Sequence, residues 1–351
     1  MVDQWKELSG ERNWEGLLKP LNGDLQKRIE LYGERIQAIC DSMTDDKRHP
    51  THEKEDLFSK VIMKTDEFGK LYTVTDYIYA MSDVPSWIDW IVKDQSAWIG
   101  YVAVATDKGK EVLGRRDILI CWRGTYSKAE WIKDFEFFRT QASNILGETH
   151  NPLVHGGFLS LYTSKTIEPE YNNLSARDQV LNAVNRLLNM PDYRDEEISI
   201  TVTGHSLGAA LATLNATDMV FNKHNECTGS DKICMVTAFV LASPKVGDKG
   251  FKNVFNGLNN LHLLNIRHKS DIVTRVPPYP YRKVGTKLKI GSYKAGLRKL
   301  IKDGIPKLKN RHQFQSLPQH LFDKWFQFHS LQEYLDEVAG RRKKYLAGNI
   351  S

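Results

Sequence analysis

The sequence has few cysteines, no long apolar run and no targeting signal at its start. Its cysteines form neither a CxxC pair nor a dense framework, so nothing in them requires an oxidising compartment. No apolar stretch approaches the roughly 20 residues that a membrane-spanning helix needs. The first residues contain no basic region followed by an apolar run, and they are rich in neither arginine nor serine. From these absences we expect a cytoplasmic protein without a secretory signal, a transit peptide or a membrane span.

The remaining composition is that of a globular protein. Of the 351 residues, 41% are hydrophobic and 26% are charged, which are ordinary values for a globular domain. A chain of this length is enough for one large α/β domain with a substantial core, or for two smaller domains. Composition therefore limits the number and size of the domains but does not indicate a function.

A strand, a sharp turn and a helix are predicted around the serine at position 206. Apolar and polar residues alternate from 198 to 203, which is β-strand spacing, and an Ala- and Leu-rich segment follows. Between them lies the pattern Gly204-x-Ser206-x-Gly208. At such a turn, glycines on both sides of the serine remove collisions with neighbouring elements and expose the hydroxyl. We therefore predict that Ser206 is a nucleophile rather than a structural turn residue, and that the backbone N–H of Leu207 faces a developing oxyanion.

Strands and helices alternate along the chain around this turn. Apolar patterning predicts strands at 72–80, 98–105, 117–122, 234–242 and 261–266, and helices at 22–42, 176–188 and 251–258. The polar run from 107 to 116 is interpreted as the turn of a hairpin. This order predicts an α/β fold with a mainly parallel central sheet flanked by helices.

The chain is expected to form a single catalytic unit with an N-terminal addition. Residues 1–95 are predicted to form a helical arm or flap region packed on a core of residues 96–351. Within the arm, the aromatic run at 85–91 is interpreted as core packing, with a lipid-facing flap as the alternative.

A serine nucleophile needs a base to take its proton and a carboxylate to orient that base. In the hydrolase topology these follow in the order serine, acid, histidine. Asp271 follows the second strand after Ser206, whereas Asp248 follows the intervening strand and its neighbours suggest a helix cap. We predict that Asp271 is the acid. For the base we predict His329, which precedes a helical run, with His320 as the alternative.

A second oxyanion donor is expected after the strand at 117–122. There Arg123-Gly124-Thr125 places a glycine turn and a hydroxyl residue at the end of a strand. Both the backbone N–H and the hydroxyl of Thr125 can serve, and a plain strand-end turn is the alternative. His155, beside two glycines, is interpreted as a structural histidine, with a place next to the site as the alternative.

These motifs together resemble the class 3 lipase superfamily and, within it, the plant class II phospholipase A1 group. The resemblance extends over nearly the whole chain and rests on the segments Trp122-Arg123-Gly124-Thr125 with Glu130-Trp131, Val154-His155-Gly156-Gly157-Phe158, Gly204-His205-Ser206-Leu207-Gly208, Ala242-Ser243-Pro244-Lys245 and Asp271-Ile272-Val273-Thr274. It implies an α/β-hydrolase fold and hydrolysis of the sn-1 acyl ester of glycerolipids without a metal or other cofactor. It also implies the triad Ser206, Asp271 and His329, with Thr125 and Leu207 as oxyanion donors.

Two other functions remain open on the sequence alone. The same triad suits a lipase of mono-, di- or triacylglycerol or of galactolipid. A protein with this fold can also bind a lipid or hormone-like ligand without turnover. An intact set of serine, aspartate and histidine favours an enzyme.

The chain departs from the group in one basic segment, between the predicted acid and the predicted base. Residues 275–311 carry twelve Lys and Arg against the single Asp303, within a chain of net charge +6. We expect this segment to lie near the mouth of the site and attract anionic lipid surfaces transiently. A solvated loop is the alternative, and nucleic acid is not expected because no nucleic-acid fold signature accompanies the lysines.

Overall fold

The computed structural model describes residues 4–43, 49–60, 69–81, 96–125, 138–165, 173–229, 231–292 and 328–340. Its strands are β1 (Tyr72–Ala80), β2 (Ala97–Ala105), β3 (Arg116–Trp122), β4 (Arg139–Gln141), β5 (Leu153–His155), β6 (Ile198–His205), β7 (Met235–Leu241), β8 (Leu261–His268) and β9 (Thr286–Ile290). Its helices are α1 (Gln4–Leu8), α2 (Gly23–Asp41), α3 (Leu57–Lys60), α4 (Asp107–Leu113), α5 (Ser143–Leu146), α6 (Gly156–Thr163), α7 (Ala176–Leu188), α8 (Leu207–Phe221), α9 (Lys249–Asn256) and α10 (Leu331–Val338).

A seven-stranded sheet in the order β1-β2-β3-β6-β7-β8-β9 forms the centre of the molecule. The strands from β3 to β9 in this order run parallel, and β2 and β1 continue the sheet antiparallel. Short strands β4 and β5 pair separately. The predicted α/β class with a mainly parallel sheet is confirmed.

The connection between β2 and β3 contains a helix where a simple turn was predicted, and that prediction is wrong. The hairpin itself is confirmed, because β2 and β3 pair antiparallel. Helix α4 forms between them since the side chain of Thr106 accepts the backbone N–H of Gly109 at its start. Gly114 ends the helix in the left-handed conformation, with φ of 78°.

Helices cover both faces of the sheet. On one face, α6, α7 and α8 bury an apolar cluster that includes Ile200 and Val202 of β6. On the other face, α2 and α10 bury a second cluster. These last two helices lie very close, because a Cβ built on Gly33 would lie 2.2 Å from Cδ2 of Leu335. The N-terminal helix α2 thus positions the helix that follows His329.

The polar side of β6 is buried as well, around the carboxylate of Asp117. Asp117 is 0% exposed. It accepts hydrogen bonds from the hydroxyls of Tyr72 at 2.6 Å and Thr201 at 2.8 Å, and from Arg115 at 3.3 Å. Tyr32 of α2 donates to the same carboxylate at 3.3 Å. This network joins α2 to the sheet at the end remote from the C-terminal strand ends.

The first 95 residues contribute to both the sheet and one of its covering layers. Strand β1 is an edge strand of the central sheet, and α2 packs on one face of it. The division at residue 95 stays a prediction, and the aromatic run at 85–91 lies outside the described residues. In the part of the chain that the structure describes, none of the helices combines the length and hydropathy needed to cross a bilayer.

Candidate active site

Ser206 occupies a sharp turn between β6 and α8. Its backbone has φ of 59° and ψ of −119°, a strained conformation for a residue with a side chain. A Cβ on Gly204 would lie 2.4 Å from the backbone of Gly208, and one on Gly208 would lie 2.2 Å from the carbonyl oxygen of Trp122. The two glycines are therefore required because β6, α8 and the end of β3 approach too closely for a side chain.

The hydroxyl of Ser206 is covered, which corrects the expectation of an exposed side chain. Ser206 is 2% exposed. The ring of His329 lies against it, and the Ser206 O–H donates to Nε2 of His329 at 2.8 Å. Among the described residues, the hydroxyl is reached through the cavity that Ser206 lines.

The structure brings the three predicted side chains together in one hydrogen-bonded chain. The Nδ1–H of His329 donates to Oδ2 of Asp271 at 3.0 Å, and Nε2 of the same ring accepts from Ser206. Asp271 lies in the turn after β8 and His329 immediately before the cap of α10. They are 0% and 4% exposed. The arrangement can move a proton from the serine hydroxyl to an imidazole whose cation faces a carboxylate.

Asp248 and His155, two of the alternatives weighed from the sequence, take other places. The carboxylate of Asp248 caps α9, accepting the backbone N–H of Phe251 at 3.1 Å, as its neighbours suggest. His320 lies outside the described residues. His155 is buried and stacks on Phe158 with ring centroids 4.3 Å apart. It does not line the cavity beside Ser206.

Both predicted oxyanion donors adjoin the serine turn. Leu207 is the first residue of α8, so its N–H has no acceptor within the helix. The loop after β3 presses on the same turn, because a Cβ on Gly124 would lie 2.8 Å from the carbonyl oxygen of His205. The hydroxyl oxygen of Thr125 in this loop is buried and has no hydrogen-bond partner among the described residues. A donor without an acceptor is available to a ligand.

A cavity of about 510 Å³ opens on Ser206, Thr125 and His329. This volume lies within the range of small-molecule sites, about 300–1,000 Å³. Part of the lining comes from the last turn of α2 and the residues after it, and part from the residues at the start of α10. The described lining consists of Gln37, Cys40, Asp41, Met43, Gly124, Thr125, His205, Ser206, His329, Ser330, Leu331 and Gln332.

Comparison with known proteins places the chain in a family. The sequence model of the family described as lipase (class 3) matches residues 119–281. Phospholipase A1-II 1 of Oryza sativa is 44% identical over 307 residues, which cover 83% of this chain and 75% of that protein. Phospholipase A1-IIgamma of Arabidopsis thaliana is 39% identical over 352 residues, covering 96% and 78% respectively. The chain belongs to the class II phospholipase A1 group of the class 3 lipases.

A solved lipase structure shares the fold of this chain. A Rhizomucor miehei lipase propeptide complex matches with a TM-score of 0.51 and 18% identity, covering 77% of this chain and 68% of that one. At this identity the likeness concerns the fold alone, and it supports the α/β-hydrolase architecture. The resemblance drawn from the motifs is confirmed.

Two side chains at the site of this class 3 lipase were missed from the sequence. Tyr334 of α10 donates its O–H to Oδ2 of Asp271 at 2.7 Å. Burial, followed by the charge of Asp271, raises the pKa of Tyr334 well above its usual value. His205 donates its Nε2–H to the backbone carbonyl of His329 at 2.7 Å. In the sequence, His205 directly precedes the predicted nucleophile Ser206, and Tyr334 lies five residues after the predicted base His329. These positions suggest proximity to the site, but a separation along the chain does not specify a contact.

One group of side chains in the described ranges has the spacing of a cation site. The ligand atoms of His268, Glu333 and Glu337 lie within 4.8 Å of one another. The Nδ1 of His268 accepts the backbone N–H of Ser270 at 3.1 Å, so the ring hydrogen is on Nε2. That Nε2 faces Glu337 at 3.9 Å. A protonated nitrogen does not ligate a metal, so the group is a histidine that faces the carboxylate of Glu337.

Proposed function

We propose that this chain is a serine ester hydrolase that cleaves the sn-1 acyl ester of glycerolipids, with Ser206, His329 and Asp271 as its triad. The observation that carries the proposal is the continuous chain of two hydrogen bonds, 2.8 Å from Ser206 to His329 and 3.0 Å from His329 to Asp271. Membership of the class II phospholipase A1 group supports the reaction class and the position of the ester.

The first half of the proposed reaction transfers the acyl group to the protein. Ser206 Oγ attacks the ester carbonyl carbon while Nε2 of His329 takes the hydroxyl proton. The carbonyl oxygen becomes an oxyanion, which the N–H of Leu207 and the N–H and hydroxyl of Thr125 stabilise. Collapse of the intermediate breaks the ester C–O bond. His329 returns the proton to the departing alkoxide, which leaves as the lysolipid.

The second half hydrolyses the acyl-enzyme. His329 removes a proton from water, and the hydroxide oxygen attacks the acyl carbon. The oxyanion forms again in the same place, and its collapse releases the fatty acid while His329 returns a proton to Ser206 Oγ. Throughout both halves, Asp271 stabilises the imidazolium and keeps its Nδ1–H oriented.

Labelling with a fluorophosphonate tests the nucleophile without assuming a lipid. We expect the wild-type chain to be labelled, Ser206→Ala to resist labelling, and Ser160→Ala to be labelled like the wild type, because Ser160 lies on α6 against Ser164. His329→Gln is expected to lose labelling and His320→Gln to keep it. A wild-type protein that is not labelled would favour a ligand-binding protein without turnover.

A lipid panel with positional analysis of products tests the substrate. The panel contains phospholipids with different chains at sn-1 and sn-2, galactolipid, and mono-, di- and triacylglycerol. Release of the sn-1 chain from phospholipid in preference to the others supports the proposal. Faster release from acylglycerols or galactolipid, still dependent on Ser206, would assign the same triad to one of those lipases.

We also propose that the basic segment at 275–311 docks the protein on anionic membranes. Within its described part, the side chains of Arg282, Lys287 and Lys289 are exposed. Each Lys or Arg near an anionic surface contributes about 1 kcal/mol, and salt weakens this attraction. Residues 293–311 lie outside the described residues. A cytoplasmic location likewise stays a prediction.

Sedimentation with vesicles tests the docking. Binding to phosphatidylcholine vesicles is expected to increase when phosphatidylserine is included and to fall when salt is added. The double variant Lys287→Glu, Lys289→Glu should bind less, whereas Lys27→Glu, an exposed lysine on α2, should bind like the wild type. Binding that ignores both anionic lipid and salt would leave the segment as a solvated loop.

A further inference from the structure

Tyr334 lies at the centre of the contacts that surround Asp271, yet the reaction described above assigns it no step. It is on α10, five residues after His329, and it is 0% exposed. Its oxygen lies 2.7 Å from Oδ2 of Asp271 and 3.0 Å from the backbone nitrogen of His268. It therefore contacts both the carboxylate and the last residue of β8, the strand that leads into the turn with Asp271.

The direction of both hydrogen bonds follows from the hydrogens available. A phenol has one hydrogen to donate, and the backbone nitrogen of His268 is itself a donor. The Tyr334 oxygen must accept from His268, so its own hydrogen points at Asp271. The hydroxyl of Tyr334 is therefore held by two hydrogen bonds, one that it donates to Asp271 and one that it accepts from His268.

The carboxylate of Asp271 is correspondingly fully engaged. Oδ1 accepts the backbone N–H of Val273 at 2.8 Å. Oδ2 is shared between the Tyr334 hydroxyl and Nδ1–H of His329. Because Asp271 is 0% exposed, no bulk water replaces a donor that is removed. Loss of the Tyr334 hydroxyl would leave an unsatisfied lone pair on the oxygen that orients the imidazole.

Helix α10 links the same tyrosine mechanically to the base. The hydroxyl of Ser330 caps the helix by accepting the N–H of Glu333 at 3.2 Å, so His329 is joined directly to a rigid first turn. Leu335, next to Tyr334, packs against Gly33 of α2. A displacement of Tyr334 from Asp271 would therefore carry His329 with it.

We propose that Tyr334 is a positioning residue for the hydrolysis: its hydroxyl fixes the plane of the Asp271 carboxylate and connects the helix that follows His329 to the end of β8. It touches neither substrate nor the reacting atoms. It acts by keeping the carboxylate of Asp271 and the ring of His329 at hydrogen-bonding distance. This inference rests on the ester hydrolysis proposed above.

The test compares Tyr334→Phe with Tyr162→Phe. Tyr162 is also 0% exposed and donates to a buried carboxylate, Asp218, at 2.8 Å, but it lies on α6. For a soluble p-nitrophenyl ester we expect Tyr334→Phe to lower kcat by about ten- to a hundredfold, the usual effect of losing a hydrogen bond to a charged group. KM should stay near the wild-type value, and the rate of fluorophosphonate labelling should fall with kcat. Tyr162→Phe should leave all three quantities unchanged, even where its urea midpoint falls.

The outcomes separate the two proposals. An unlabelled wild-type chain would refute the hydrolase itself. A labelled wild type with Tyr334→Phe at wild-type kcat and labelling rate, or with only KM raised, would overturn the positioning role alone. Near-UV circular dichroism checks that each variant is folded. Where Tyr334→Phe does not fold, a fluorotyrosine in place of Tyr334 keeps the ring and strengthens the donor. A changed kcat at constant KM then supports the role, and an unchanged kcat overturns it.

Discussion

Replacing Gly208 by alanine tests whether the close approach of α8 to β3 holds Ser206, the proposed nucleophile, in place. A Cβ at this position would lie 2.2 Å from the carbonyl oxygen of Trp122 and 2.8 Å from the carbonyl carbon of Arg123. Carbon–oxygen contacts of this kind begin at about 3.3 Å, so the helix or the strand end must shift by about 1 Å. Both neighbours are main-chain atoms, and a change of rotamer does not move them.

The expected cost is larger for catalysis than for stability. Overpacking of this kind destabilises a fold by about 1–3 kcal/mol, and alanine recovers up to about 1 kcal/mol because it is the better helix former. The net loss in free energy of unfolding is therefore about 1–2 kcal/mol. Ser206 and the N–H of Leu207 lie at the end of the helix that moves. A misplacement of about 1 Å at a reacting group lowers kcat by about a hundredfold.

Gly23→Ala is the matched control for this change. Gly23 is the first residue of α2, and a Cβ there would have no neighbour within 4 Å. Its kcat should equal the wild-type value and its urea midpoint should stay level or rise slightly. The assay is hydrolysis of a soluble p-nitrophenyl ester together with urea unfolding. A Gly208→Ala protein with wild-type kcat and wild-type stability would refute the steric account of the turn.

Three further changes probe the fold and the site. Asp117→Asn leaves the buried Arg115 without its carboxylate and should lower the free energy of unfolding by about 3–5 kcal/mol; an unchanged urea midpoint would contradict this. Thr125→Val should lower kcat about a hundredfold with little effect on KM if its hydroxyl stabilises the oxyanion, and Thr125→Ser should retain activity; equal kcat in both variants would remove the hydroxyl from that role. The hydrogen bond from Arg116 lowers the pKa of Glu196 to about 2. Because the pKa is lower in the folded state, this stabilisation of about 2 kcal/mol is complete above about pH 5 and lost as pH falls towards 2. Glu196→Gln should remove that part of the acid dependence of the urea midpoint, and an identical acid dependence in the variant would show that the pair does not supply it.

The features that the sequence determined by itself are those set by neighbouring residues. The helix predicted at 176–188 and the strand predicted at 72–80 have the bounds that the structure gives them, because their apolar spacing alone marks a buried face. The need for glycine on both sides of Ser206 was also predictable, because the strained turn involves only five consecutive residues. The cap at Asp248 also depends only on the residues that follow it.

Tertiary structure decided which side chains meet. Ser206 and His329 are 123 residues apart in the chain, and Asp271 and Tyr334 are 63 apart. No local pattern specifies such contacts, because they depend on how α10 lies against α2 and on where β8 ends. The same packing buries the hydroxyl of Ser206, which local reasoning expected to be exposed. The sequence thus determined which residues we predict to carry the chemistry, and only the packing of helices on the sheet placed them within hydrogen-bonding distance.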